Sequence, residues 1–280
     1  MFKQILILSS IMFISCDVLE EKKQDDSPLL GLLLASQTRT SSTNTTPCPV
    51  ITLPSDIPIA TNFVSGSSTV NGFNDSSKAT NGICGGGEFS GSLDVYAMNL
   101  TGTGASAVLS WGGKSVLNGS GIDFIVYENP FKLSDTSDRY AMDPMVVEVS
   151  LDNSVYCGFP LTYDSTSSTL NKISSWGGFA GLRPVIYNMG SKTFSLEELF
   201  TSTGNGFLKG GGDGFDLDQV TASGTCTTTV RDQIKTSGFK FIKLTSASAV
   251  TNPATGNPYT YPHAFDNGGD IDGVVARNVQ

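Results

Sequence analysis

Clusters of turn-forming residues divide most of the chain into short segments, and this spacing limits what the chain can fold into. From about Val50 onward, apolar runs alternate with clusters of glycine, asparagine and aspartate, at residues 85–87, 118–119, 152–153, 210–212 and 267–269. Glycine and asparagine favour turns because they adopt backbone conformations that other residues avoid. Segments this short are typical of β-strands.

The apolar runs contain residue types that favour strands. They lie at residues 107–109, 122–127, 145–151 and 239–244. In the third run, Met145, Val147 and Val149 alternate with positions that we expect to be more exposed to solvent, which is the two-residue period of a strand. Only one helix is well indicated, by the capping-box pattern of Ser195 and Glu198. We expect an all-β fold, a β-sandwich or jelly-roll-like single domain over residues 48–280.

The first fifteen residues have the pattern of a signal peptide. Lys3 precedes an apolar stretch of about ten residues, too short to span a bilayer. Small or apolar residues before Cys16 match a bacterial lipobox, with Phe13 where leucine is usual, a relaxed form that resembles the lipoboxes of spirochaete lipoproteins. We expect lipidation of Cys16, with acyl chains such as palmitate as membrane anchor, and location in the cell envelope, at the outer membrane or cell surface. The alternative is an ordinary secretory signal and a coincidental cysteine.

Residues 16–47 have the composition of a flexible tether. A charged run at residues 20–26 and a stretch rich in serine, threonine and asparagine at residues 37–46 show no apolar periodicity. We expect this segment to hold the folded domain away from the membrane surface.

Four cysteines remain in the expected mature chain besides Cys16. An even number in an exported protein indicates two disulfides, and the sequence leaves three pairings open. The alternative is four unpaired buried thiols. The cysteines are Cys48, Cys84, Cys157 and Cys226.

Charge and histidine content exclude several classes of function. The chain has 17 Lys+Arg against 26 Asp+Glu and a net charge of -9, so it lacks the basic excess of a nucleic-acid-binding protein. Its single histidine, His263, excludes a metal site that needs several histidine ligands from this chain. We expect no nucleic-acid partner.

Carboxylates embedded in glycine-rich segments are the sharpest chemical feature of the sequence. Calcium prefers six to eight oxygen ligands, and glycine permits the tight backbone that turns several of them onto one ion. We expect a structural calcium ion at one end of the sandwich; the alternative is that these residues form Asx-turns or solvated loops. The candidate ligands are Asp123, Glu128, Asn129, Asp213, Asp216, Asp218, Asp266, Asp270 and Asp272.

Aromatic residues near the C-terminus suggest a ligand-binding face. Tyr259, Tyr261 and His263 occupy every second position, so an extended backbone would place them on one side, where rings could stack on a sugar. The alternative is a segment that buries its aromatic rings. Paired carboxylates also serve in glycoside hydrolysis, but we assign no catalytic residue, because sequence does not give the distance between carboxylates.

An ordered series of motifs from Gly91 to the C-terminus resembles a family of bacterial cell-surface proteins with a β-sandwich-like domain. The most specific match is D-F-x-V-[FY]-E-N within residues 118–131, and G-G-D-x-F-D-L follows at residues 211–217. V-E-V-S-x-D at residues 147–152 departs from the family pattern in having Asn153 in place of glycine. The resemblance implies the fold and a lipid-anchored or surface-retained chain. It implies no enzyme activity and no particular ligand.

Taken together, these features predict a lipid-anchored envelope protein that acts as a binding or adhesion module. The expected partners are the membrane, through the anchor, and a glycan, a matrix component or another extracellular protein. A structural envelope lipoprotein without a small ligand is the alternative, and a carbohydrate-active hydrolase is the less favoured one.

Overall fold

The computed structural model describes residues 48–191, 193–262 and 267–280. The expected signal peptide, the lipidated Cys16 and the tether up to residue 47 lie outside the described residues, as do His263 and Asp266. Within the described part of the chain, no helix is long and apolar enough to cross a membrane.

Strands outnumber helices among the described residues. The strands are β1 (Asn62–Gly66), β2 (Tyr96–Ala97), β3 (Ser106–Ser110), β4 (Phe124–Tyr127), β5 (Phe131–Lys132), β6 (Tyr140–Ala141), β7 (Met145–Ser150), β8 (Cys157–Gly158), β9 (Thr162–Tyr163), β10 (Trp176–Gly177), β11 (Ser202–Gly204), β12 (Phe207–Leu208), β13 (Asp213–Phe215), β14 (Phe241–Ser246), β15 (Asp270–Ile271) and β16 (Gly273–Ala276). The helices are α1 (Leu196–Leu199) and α2 (Thr228–Ser237), with short 3₁₀ helices at Ser76–Ala79, Ile173–Ser175, Leu217–Gln219 and Ala247–Ala249.

Two antiparallel sheets form the main framework. One has five strands in the order β1-β3-β14-β7-β8, and the other has three in the order β13-β4-β16. Four two-stranded ribbons surround them, pairing β2 with β15, β5 with β6, β9 with β10 and β11 with β12. The expected all-β, sandwich-like fold is confirmed.

The principal core lies between the two main sheets, and residue alternation in β4 explains why. Phe124 and Val126 belong to a buried cluster that also contains Met145, Val147 and Val149 of β7. The intervening residues of β4 belong to a second buried cluster, which lies on the opposite face of the three-stranded sheet. Strand β4 is therefore buried on both faces, which its continuous apolar sequence allows.

The first helix follows its capping signal. Ser195 Oγ accepts a hydrogen bond from the Glu198 N–H at 3.3 Å, and a Glu198 carboxylate oxygen accepts one from the Ser195 N–H at 3.0 Å. The longer helix α2, which the sequence did not lead us to expect, begins after the N-cap Thr227 and ends before the C-cap Gly238, whose φ is 77°. Its Ile234 is buried in the principal core.

The four cysteines of the domain form two disulfides, as expected. Cys48 pairs with Cys84, and Cys157 pairs with Cys226. This settles the pairing that the sequence left open. The bonds close segments with sequence separations of 36 and 69 residues.

Candidate metal centre

Three carboxylates meet at the junction of the two main sheets. Glu128 follows β4, Asp143 lies between β6 and β7, and Asp270 begins β15. Each offers one carboxylate oxygen, and these oxygens all lie within 4.8 Å of one another. Residues far apart in sequence thus form one acidic cluster, which we call the acidic centre.

Hydrogen bonds from backbone and amide groups position the acidic centre. The Asp270 N–H donates to Glu128 Oε1 at 2.8 Å. The side-chain amides of Asn129 and Asn267 donate to the two Asp270 oxygens at 3.1 and 2.8 Å. Asn129 therefore stands next to the acidic centre and contacts Asp270 through its amide nitrogen.

Two glycines allow the backbone before Asp270 to reach this position. A Cβ atom on Gly269 would collide with the Met145 side chain at the start of β7. A Cβ atom on Gly268 would collide with Ser246 Oγ and the Asn99 carbonyl. The glycine pair that the sequence offers as a turn is thus needed for close packing of segments.

Glu128 is the most buried member of the acidic centre. Its residue exposure is 1%, and its Oε2 atom has no hydrogen-bond partner among the described residues. Burial, and then the negative charge of Asp270, raise the pKa of Glu128 well above its usual range. No ion pair in the described part of the chain includes Glu128.

Asp213 lies in the glycine-rich run that the sequence proposed as a metal loop, but it has a cationic partner. Arg183 Nη1 lies 2.7 Å from Asp213 Oδ1, and the Leu182 N–H donates to Oδ2 at 2.8 Å. Burial raises the pKa of Asp213, an effect that Arg183 partly offsets. The geometry favours a buried ion pair over a metal ligand.

Asp123 and Asp272 are also buried, and both bind backbone N–H groups. Asp123 accepts from Gly119 at 2.7 Å and from Leu217 at 2.8 Å. Both oxygens of Asp272 lie 3.0 Å from the Cys84 nitrogen. Burial raises the pKa of Asp123 to about 6 and raises that of Asp272 well above its usual range.

The other two acids of the same glycine-rich run, half-buried Asp216 and exposed Asp218, accept hydrogen bonds from the protein. Asp216 Oδ1 accepts from the Asp218 N–H at 2.8 Å and caps a 3₁₀ helix. Asp218 accepts from the Asn118 side chain at 2.9 Å. Asp216 thus has the Asx-turn geometry of the alternative, whereas Asp218 contacts a distant segment of the chain.

Sequence reasoning missed Asp143 as a member of the acidic centre. No glycine stands beside it, and its neighbour in the chain is Pro144. Its position follows from pairing of the adjacent strand, because Met145 exchanges backbone hydrogen bonds with Ala180. The only local signal was an acid at the boundary of a strand.

The aromatic residues near the C-terminus do not form an exposed face. Tyr259 is 4% exposed and Tyr261 is 7% exposed, and both belong to a buried cluster with Trp176 and Phe179. The Tyr261 hydroxyl donates to the Pro144 carbonyl at 3.1 Å, beside Asp143. The structure therefore corrects the expected ligand platform: these rings pack in the interior.

A cleft of about 470 Å³ lies on another part of the domain. Lys78 and Asp94 form an ion pair in it, and the Cys48–Cys84 disulfide is part of its lining. Leu93 also lines the cleft and is 54% exposed; Phe89, in the same loop, is 50% exposed. An exposed leucine next to a charged pair makes this cleft a second candidate site.

Fold and sites define the class of this protein as an all-β, disulfide-bonded, sandwich-like domain with a buried acidic centre. Comparisons with protein-family models, with curated proteins and with solved structures found no match.

Proposed function

We propose that the chain is a lipid-anchored envelope protein whose sandwich domain acts as a binding or adhesion module. The observation that carries the export part of this proposal is the pair of disulfides within one β-domain. Disulfides persist in oxidising compartments outside the cytoplasm, and the lipobox pattern that ends at Cys16 supplies export and anchorage.

The partner surface proposed here is the cleft beside Leu93. Exposed apolar side chains can mark interaction sites, and Leu93 in the cleft and Phe89 in the same loop are both about half exposed. The neighbouring Lys78–Asp94 pair adds charge that can orient a partner.

The chemistry of this surface favours a protein over a glycan. Sugars stack on exposed aromatic rings, and among the described residues Phe89 alone offers an exposed ring, since both tryptophans and the two C-terminal tyrosines are buried. An exposed leucine beside a charged pair, with a single exposed ring in the same loop, fits an apolar contact with a protein partner better. The hydrolase alternative has less support, because Glu128 in the acidic centre is shielded from solvent.

The anchor is tested by feeding labelled palmitate to a bacterial host that makes lipoproteins and expresses the full chain. We expect label in the wild-type protein and none in Cys16→Ser. Surface biotinylation of intact cells then tests the location. Unlabelled wild-type protein that is released into the medium would support the secretory alternative.

Partner binding is tested by presenting the full-length protein to panels of extracellular matrix proteins and of glycans. We expect binding to a protein, weakened at least tenfold by the double change Phe89→Ser and Leu93→Ser. Val64→Ser is the matched control, since Val64 is also exposed but lies in β1. Binding to glycans only would replace the protein partner, and no binding to either panel would favour the structural alternative.

A further inference from the structure

We propose that Glu128, Asp143 and Asp270 hold a divalent cation, calcium, that fastens the two main sheets together. This inference goes beyond the partner-binding role and does not depend on it. It places the ion away from the glycine-rich run at residues 211–218, which the sequence singled out.

The first support is the state of Glu128. Its side chain is almost fully shielded from solvent, and Oε2 lacks a hydrogen-bond partner among the described residues. A buried carboxylate without a cationic partner is strongly unfavourable. The adjacent Asp270 adds a like charge and so increases the penalty. A bound divalent cation would satisfy the unused oxygen and neutralise these charges.

The second support is the spacing of the oxygens. Calcium binds oxygen at about 2.3–2.6 Å, so ligands on opposite sides of one ion are roughly 4.6–5.2 Å apart. The three carboxylate oxygens of the acidic centre lie within 4.8 Å of one another. One ion can therefore contact all three without rearrangement of the backbone.

The donor set favours calcium among divalent cations. The members of the acidic centre that could contact an ion are all carboxylates. Hard cations prefer such oxygen donors. Calcium accepts irregular arrangements with mono- or bidentate carboxylates, whereas magnesium demands near-ideal octahedral geometry and retains several waters.

The position of the acidic centre explains what the ion would do. Glu128 extends from β4 of the three-stranded sheet, and Asp143 precedes β7 of the five-stranded sheet. Asp270 starts β15, which pairs with β2 outside both sheets. An ion bound to all three side chains would add a direct link between the three-stranded sheet, the five-stranded sheet and the ribbon of β2 and β15.

The rival explanation is a shared proton. Two adjacent carboxyl groups can hold one proton between them when burial raises their pKa values. That arrangement needs no metal, and it predicts no response of the protein to calcium at neutral pH. The two explanations are therefore separated by a titration with metal.

The experiment uses the purified full-length protein, stripped with a chelator and titrated with calcium or magnesium in a calorimeter and in thermal melts. We expect one calcium per chain and a rise in Tm of roughly 5–10 °C at a calcium concentration about 100 times Kd. Magnesium should give less than a tenth of the calcium affinity. Equal affinity for the two ions, or no heat and an unchanged melt, would overturn the assignment.

Single substitutions test where the calcium ion binds. Asp143→Asn should weaken calcium binding at least tenfold, whereas Asp216→Asn, in the glycine-rich run, should leave it unchanged. A loss of binding in Asp216→Asn with full binding in Asp143→Asn would contradict the proposed site. If Asp143→Asn does not fold, terbium(III) luminescence of the wild-type protein decides. Tyr261, which touches Pro144, should sensitise the emission, and calcium should displace it; no sensitised emission refutes the site.

Discussion

Replacement of Arg183 by methionine tests whether the buried acid of the glycine-rich run is held by an ion pair. The change removes the guanidinium that lies 2.7 Å from Asp213 Oδ1 and keeps much of the volume of the side chain. The Asp213 carboxylate, whose side-chain exposure is 3%, would then keep only its backbone hydrogen bonds. We expect a large loss of stability, because the charge stays buried without compensation.

The size of this loss has an upper limit. A carboxyl group that is too costly to ionise takes up a proton instead, and from an unfolded-state pKa of 3.8 this costs about 4.4 kcal/mol at pH 7. Breaking one side of a buried pair usually destabilises a protein by about 3–5 kcal/mol. We therefore expect Arg183→Met to lower the free energy of unfolding by about 3–4 kcal/mol at pH 7.

The pH dependence of the loss has a definite sign. Without Arg183, the pKa of Asp213 in the folded state rises further, so the folded protein retains its proton at higher pH than the unfolded chain does. The loss of stability in Arg183→Met is therefore largest at neutral pH. It decreases by about 1.4 kcal/mol for each unit by which the pH is lowered from 7 to 5.

Urea denaturation at several pH values measures these effects, with Asp213→Asn and the double variant completing a cycle. We expect the double variant to be more stable than the sum of the single losses by about 2 kcal/mol, because removal of both charges leaves nothing uncompensated. Additive losses within about 0.5 kcal/mol, or a penalty for Arg183→Met that does not change with pH, would refute the ion-pair reasoning.

Three further predictions concern stability. Replacement of Cys157 and Cys226 by serine should cost about 4.4 kcal/mol in urea denaturation, from the 69-residue separation that their disulfide closes, and a loss below 1 kcal/mol would contradict the loop-entropy argument. Thr227→Ala should cost about 1 kcal/mol through loss of the N-cap of α2, with Thr227→Ser as the control that retains the cap. Asp123 should titrate near pH 6 by NMR. Because the folded state then holds this proton more tightly than the unfolded chain, the contribution of Asp123 to stability should fall by about 3 kcal/mol as pH rises from about 4 to 6. A titration near pH 4 would argue against this effect of burial.

Local patterns were sufficient for much of the fold. Alternation over residues 145–151 predicted β7, and its Met145, Val147 and Val149 do face the principal core. The capping box at Ser195 predicted α1, since that signal lies within four adjacent residues. Helix α2 escaped notice because its apolar positions are sparse, although Thr227 and Gly238 mark its two ends.

The candidate sites depended on contacts that no local pattern records. Glycines drew attention to Asp270, which lies in the acidic centre, and equally to Asp213, which pairs with Arg183 thirty residues earlier in the chain. Asp143 reaches the acidic centre through strand pairing and so carried no signal of its own. Sequence thus indicated the type of ligand atom, whereas tertiary packing decided which acids meet.

The Cys48–Cys84 disulfide has a mechanical consequence. A pulling force applied to the N-terminal end of the chain reaches Cys48 first and passes through the sulfur–sulfur bond directly to Cys84. The chain between these cysteines, which contains β1, therefore carries no tension while the bond is intact. A force applied from the N-terminus would therefore act on the segment after Cys84. It would not separate β1, the edge strand, from the five-stranded sheet. Reduction of this one bond would change the order in which the domain unravels under load.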